Sequence, residues 1–258
     1  MNALATGLLS FLALSSLFAQ PFRYTLKEGQ VRSYKVMVSL DGNLPMPGGL
    51  GGDGNMKVSS EMFFKVKKTL ESGDSETEAG LTQIDIELNG QPLTLALDMV
   101  KQYIPDNEAV VSNRGEVKKV KGGGQLPVQL PGFDPRNMVS LFMPTILPEG
   151  DLEPGAAWEF KHKFGEGATE FITPMKAKFE AWETIDGVRL MRIGHEFEAK
   201  TSTTTLKGTM TVWLDPAKGL LQKSDLKGTY ETKADADAQP MKARTSILVE
   251  LLPEPKKP

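Results

Sequence analysis

The stretch spanning residues 208–230, GTMTVWLDPAKGLLQKSDLKGTY, limits the fold more than any other part of the chain. Thr209, Thr211 and Trp213 alternate with Met210, Val212 and Leu214, the period-two pattern of a strand with one buried face. Asp215, Pro216 and Gly219 then supply a turn, because Asp bonds the backbone ahead of it, Pro fixes φ and Gly accepts a positive φ. Register matters here, since a slip of one residue moves every side chain to the other face. With residues 215–219 as the connection, Leu214 faces Leu220, Val212 faces Gln222 and Thr211 faces Lys223. A loop one residue shorter sets Val212 against Lys223 and Met210 against Asp225, placing two charges on the apolar face. The first register is therefore expected.

The same logic applied along the chain predicts strands at 22–26, 31–40, 57–70, 76–88, 91–100, 158–164, 168–182, 188–199, 202–214 and 241–252, with a strand, turn, strand unit at 109–121. Asn89-Gly90 and Asp186-Gly187 read as tight turns. Residues 41–55, DGNLPMPGGLGGDGN, read as a mobile loop because so many Gly and Pro residues are entropically expensive to order. Residues 137–143 form the one helix expected after the leader, ended by Pro144. Its Met138, Leu141, Phe142 and Met143 need a sheet face or a barrel mouth to cover them.

The fold class is thus mainly β: an antiparallel curved sheet, or an incomplete barrel or sandwich, with one short helix. Leu26-Lys27-Glu28-Gly29 ahead of Tyr34 parallels Leu152-Glu153-Pro154-Gly155 ahead of Trp158 and Phe160, and Gly115 and Gly219 each mark a later hairpin. Two duplicated β-meander halves, 22–121 and 152–252, joined by a connector at 122–151, would explain this as well as simple reuse of turn chemistry. Residues 20–252 are read as a single β-rich domain, and the Pro-rich, charged tail at 253–258 is expected to fray.

The first 19 residues carry no charged side chain and are mostly apolar from Leu8 to Ala19. They read as a signal peptide cut after Ala19, which places the protein in the periplasm or outside the cell. A retained anchor is the competing reading, though the run falls short of the roughly 20 residues a spanning helix needs. The chain has no Cys, so disulfides are excluded and stability must come from packing. A net charge of -3 offers no basic field for nucleic acid.

His162 and His195 are the only histidines. Each shares a strand face with aromatic or apolar residues, and adjacent strands would bring them together as a metal site or proton-transfer pair. Two ligands without a third are more simply read as half-buried imidazoles donating to backbone carbonyls. No GxSxG occurs, and GGLGGDGN lacks the Lys and Ser/Thr of a phosphate loop. The chain is therefore expected to be non-enzymatic and to need no cofactor. A curved sheet with an apolar concave side suits a lipid-like ligand, the helix near Met143 serving as lid, and twelve Met residues suit an adaptable lining. Met138, Leu141, Phe142, Met143 and Trp213 are the candidate ligand contacts.

The opening Leu26-Lys27-Glu28-Gly29 with Tyr34, the middle Leu147-Pro148 to Pro154-Gly155-Ala156-Ala157-Trp158, and Gly208 to Trp213-Leu214-Asp215 with Gly219 and Leu221 resemble a group of bacterial secreted proteins known only as a domain of unknown function. The resemblance implies an exported β-rich protein and carries no catalytic residue. A looser likeness to the half-barrel lipoprotein carriers of the periplasm is one of fold, which does not fix function. Three functions stay open: an envelope-associated binding module for an apolar ligand, a structural or protein-interaction module of the envelope, and a metal-dependent or hydrolytic enzyme using His162 and His195.

Overall fold

Alternation of apolar and polar residues becomes strand after strand in the computed structural model, which describes residues 21–44, 52–124, 135–164, 171–200, 204–232 and 242–254. The expected leader lies outside the described residues. In chain order the elements are β1 (Val31–Leu44), β2 (Gly52–Thr69), β3 (Ser75–Leu88), β4 (Gln91–Leu93), α1 (Leu97–Tyr103), β5 (Asn107–Val111) and β6 (Val117–Gly122). A 3-10 helix (Pro135–Leu141) precedes β7 (Ala157–Phe164), β8 (Phe171–Ile185), β9 (Val188–Lys200), β10 (Thr204–Asp215), β11 (Leu220–Thr232) and β12 (Lys242–Leu251). They form one 12-stranded sheet in the order β6-β5-β3-β2-β1-β12-β11-β10-β9-β8-β7, with β4 paired to β3. All pairs are antiparallel, and β6 and β7 remain edges, so the sheet is not closed.

The sheet is strongly curled, as the N-terminal segment demonstrates. Tyr24 N–H donates to Asn113 O in the β5–β6 turn, and Thr25 N–H donates to Gly219 O in the β10–β11 turn, both at 2.8 Å. On a flat sheet those two turns would lie about 29 Å apart, six strand spacings. Consecutive residues bridge them here. The glycines permit this approach: a Cβ at Gly115 (φ 91°) would lie 2.6 Å from the Tyr24 ring and from Thr145 O, and one at Gly219 (φ 61°) would lie 2.5 Å from Thr25 N. Curling directs one face of nearly every strand inward, where Val36, Met62, Val66, Phe179, Ile193 and Val212 pack in a single core.

Several expectations need correction. The β10–β11 hairpin turns where predicted, but its ladder pairs Leu214 with Leu221 and Trp213 with Lys223, separated by a bulge. Val212 therefore faces Ser224 and Thr211 faces Asp225, two residues away from the expected register. A two-residue slip preserves the faces, so Lys223 and Asp225 still project away from the core. Residues 41–55 are not wholly a loop: Asp41 pairs with Asn55, Gly42 with Gly54 and Leu44 with Gly52, and only residues 45–51 fall outside the described chain. The strand expected at 91–100 is instead β4 followed by α1. Pro92 limits the strand, while Leu97, Val100 and Ile104 follow a helical spacing that Leu93, Leu95, Leu97 and Met99 disguise as alternation. Residues 22–26 run beside the turns without joining the sheet. Where a helix was expected at 137–143, a 3-10 helix ends at Leu141, and α1 is the one α-helix among the described residues.

Candidate functional site

Residues 142–149, FMPTILPE, cross the concave face as an irregular strap. Pro144 and Pro148 lack an N–H, so the segment cannot continue the helix or join a ladder as an ordinary strand. Its apolar side chains nevertheless go inward: Phe142, Met143 and Leu147 are buried, as is Met138 in the preceding 3-10 helix. The Phe142 ring lies 4.7 Å from Tyr34 and 5.5 Å from Phe64, centroid to centroid.

Buried carbonyls without a ladder need other donors. Pro144 O accepts from His162 Nε2 at 3.0 Å. Thr145 O accepts from Tyr24 Oη at 3.1 Å, and Ile146 O from Trp158 Nε1 at 2.8 Å. Leu147 O takes Arg114 Nε at 2.6 Å, while Arg23 reaches Pro148 O at 3.1 Å and Glu149 O at 2.7 Å. Every carbonyl from 144 to 149 is thus met by a side chain from elsewhere in the fold. Its N–H groups add three backbone bonds: Phe142 to Val139 O at 3.1 Å, Met143 to Ser140 O at 3.3 Å and Leu147 to Arg114 O at 2.8 Å.

Both histidines converge on this strap. Pro144 O can only accept, which fixes the proton on His162 Nε2. At His195, Nδ1 donates to Met210 O at 3.3 Å, leaving Nε2 to accept from the Thr145 hydroxyl at 2.9 Å. The Phe160 ring meets His162 and His195 edge to face, with centroids 5.2 and 5.9 Å away. Burial disfavours the imidazolium at both sites, holding His162 below its usual value and His195 at about 4. Burial likewise raises the phenols of Tyr24 and Tyr34 well above theirs. Burial thus favours the neutral form of all four groups near pH 7. Among the described residues no group of three or more His, Asp or Glu stands ready to hold a metal.

Of the candidate ligand contacts, Met138, Phe142 and Met143 pack in the core, and Leu141 is half-buried against it. Trp213 projects from the opposite face, where its indole N–H donates to Glu183 at 2.9 Å and Lys223 sits 5.9 Å from its ring. The anchors Tyr24, Arg23, Arg114 and Trp158 escaped sequence reasoning. Their signal was the pair of prolines inside an apolar run, which announces buried carbonyls in need of donors.

A second surface stands out between β3 and β5. Leu93, Leu95, Met99 and Tyr103 are 43%, 44%, 55% and 51% exposed, more than half of the large apolar side chains that are exposed among the described residues. They cluster on the excursion formed by β4 and α1.

No family model matches the chain. No curated protein matches it either. Among solved structures, lipovitellin, characterised for its lipid–protein interactions, aligns with 91% of this chain at 12% identity and a TM-score of 0.42. The alignment spans 27% of lipovitellin's chain, about a quarter of its length. The hypothetical lipoprotein YmcC of Escherichia coli aligns over 86% of this chain and 85% of its own, at 16% identity and a TM-score of 0.31. A Bacteroides fragilis protein described as exported and YmcC-like in fold aligns over 90% of this chain and 100% of its own, at 12% identity and a TM-score of 0.31. The two bacterial neighbours are described as a hypothetical lipoprotein and as an exported protein, and neither description assigns a function.

Proposed function

We propose that this protein is an exported, non-enzymatic binding module of the cell envelope that contacts an apolar envelope component through the β4–α1 excursion. The observation that carries the reading is the exposure of Leu93, Leu95, Met99 and Tyr103 on one short excursion. Solvating such a cluster is unfavourable, and apolar clusters on a surface mark contact sites. The concave face offers less room, since the strap and the 3-10 helix before it fill it with Phe142, Met143 and Met138. Export is supported by the uncharged, apolar first 19 residues. A non-enzymatic role is supported by the two histidines, which spend their ring nitrogens on Pro144, Thr145 and Met210 inside the core.

Partner binding by strand addition is the less favoured route. The β6 edge carries Lys118, Lys119 and Lys121, the charges that blunt edge pairing.

The experiment is native mass spectrometry of protein purified from its own envelope, wild type beside a Leu95→Ser/Met99→Ser variant. A retained apolar adduct, lost from the variant, is expected. An adduct held equally by both proteins, or none on the wild type, rejects the excursion as the site.

A further inference from the structure

A groove of about 640 Å³ lies on the face of the sheet opposite the core, across β1, β12, β11 and β10. Its lining follows the ladder. Lys207, Thr229, Arg244 and Asp41 stand opposite one another as one row of outward side chains. Thr209, Lys227, Ser246 and Ser39 form the next row. Hydroxyls and cations therefore alternate over the floor. Three cations face one carboxylate there, in a chain whose net charge is -3.

Glycine shapes this floor. Gly208 pairs with Gly228, and a Cβ on Gly208 would lie 2.2 Å from Lys227 O and 2.7 Å from Gly228 Cα. A Cβ on Gly42 of β1 would lie 2.4 Å from Lys242 O. Backbones approach too closely at both places for a residue with a Cβ; Gly208 and Gly228 line the groove, and Gly42 follows its lining residue Asp41 on β1.

We propose that this groove binds a saccharide carrying two or more anionic groups, phosphate, sulfate or carboxylate. Spacing selects the class. Strands about 4.8 Å apart and same-face residues about 6.8 Å apart put the stems of Lys207 and Arg244 about 10 Å from each other, with Lys227 about 8 Å from both. One isolated phosphate is best held by converging donors, whereas a triangle this wide suits charges separated by the span of a disaccharide. Ser39, Thr209, Thr229 and Ser246 offer hydroxyl partners to the sugar between them. No aromatic ring is among the described lining residues, so the stacking platform typical of a neutral-sugar site is not what the groove offers.

The carboxylates nearby compete weakly. Arg244 bonds Asp41 at 2.6 Å and Lys227 meets Asp225 at 3.0 Å. Both are solvated surface pairs with little net stabilisation, and an anion of higher charge displaces them. Glu198 and Glu231 sense Lys207 through space while bonding Lys200 and Lys242.

Calorimetric titration of the full mature protein with tetragalacturonate, a heparin-derived tetrasaccharide and neutral maltotetraose tests the proposal. Binding of at least one anionic tetrasaccharide but not maltotetraose is expected, weakened at least about tenfold in Lys207→Gln/Lys227→Gln/Arg244→Gln and weakening with added salt. A Lys119→Gln/Arg189→Gln control, exposed residues of β6 and β9 away from the groove, should bind as the wild type does. The bis-phosphorylated glucosamine disaccharide, free and as a glycolipid headgroup in detergent micelles, separates the sources: equal affinity assigns a soluble saccharide, and tighter micelle binding assigns a glycolipid. Equal binding of maltotetraose overturns the proposal. So does unchanged binding by a triple variant with wild-type circular dichroism, or no saturable binding of either anionic tetrasaccharide up to about 10 mM.

Discussion

The two meanders of the sheet, β1–β2–β3–β5–β6 and β7–β8–β9–β10–β11, use the same local devices for different ends. Gly29 N–H donates to Val66 O on β2 at 2.9 Å, and Gly155 N–H donates to Phe179 O on β8 at 2.7 Å. A register shift follows each acceptor, at Val66/Lys68 and at Phe179/Ala181. Aligned on these contacts, Val36 and Ala79 of the first meander stand where His162 and His195 stand in the second. The sheet itself therefore packs without imidazoles at these places. Their presence in the second meander belongs to the strap, whose Pro144 and Thr145 they hold. The first meander differs in another way: residues 89–106 link β3 to β5, whereas residues 201–203 link β9 to β10. A short link suffices for the topology, so the β4–α1 excursion is additional to what the fold needs.

The largest expected effect separates the glycines. All four have positive φ, but Gly115 and Gly219 are pressed against Tyr24 and Thr25, while a Cβ at Gly29 or Gly155 meets nothing within 4 Å. Gly115→Ala and Gly219→Ala should each cost 3 kcal/mol or more by urea denaturation, about 1–2 kcal/mol coming from φ alone and the rest from the clash. Gly29→Ala and Gly155→Ala should cost only the φ part, about 1–2 kcal/mol. Equal losses at all four would remove the N-terminal bridge as the cause.

Next comes acid. An unfolded imidazole binds its proton near pH 6.5, whereas His195 resists protonation down to about 4 in the fold. Between those values the unfolded chain holds more protons, so stability falls as pH falls through the window and levels off below it. His195 alone accounts for at most about 3 kcal/mol of this loss, and His162, also depressed, adds to it. His162→Val/His195→Ala, which copies the first meander, should abolish that part of the pH dependence. At pH 7 it should cost about 2–4 kcal/mol, since Pro144 O and the Thr145 hydroxyl lose their partners. A variant whose stability still falls through the same window would transfer the effect to other groups.

The smallest effect on stability belongs to the excursion. Leu95→Ser and Met99→Ser should each change the unfolding free energy by no more than about 0.5 kcal/mol, as surface substitutions do. A larger loss would make the excursion part of the core and weaken its reading as a contact site.

Strand identity was legible because burial on one face leaves a period of two, and turns such as Asn89-Gly90 (φ 50° and 75°) announce themselves through residues that accept positive φ. The register of β10 with β11 was not, because a bulge shifts the ladder without changing which side chains are buried. Gly42 and Gly54 looked like loop material, yet strand pairing supplies hydrogen bonds that offset their entropy. His162 and His195 could be placed on apolar faces from sequence. Their true partners could not, since Pro144 and Thr145 reach them only once the sheet has curled.

Curling is the central claim, and the lack of native Cys allows a direct distance measurement. Spin labels on Asn113→Cys and Ala217→Cys, exposed residues in the β5–β6 and β10–β11 turns, report it by double electron–electron resonance. A narrow distribution below about 20 Å is expected, because Tyr24 and Thr25 tie the two turns together. A distribution centred near or beyond about 29 Å, the flat-sheet separation, would contradict the account.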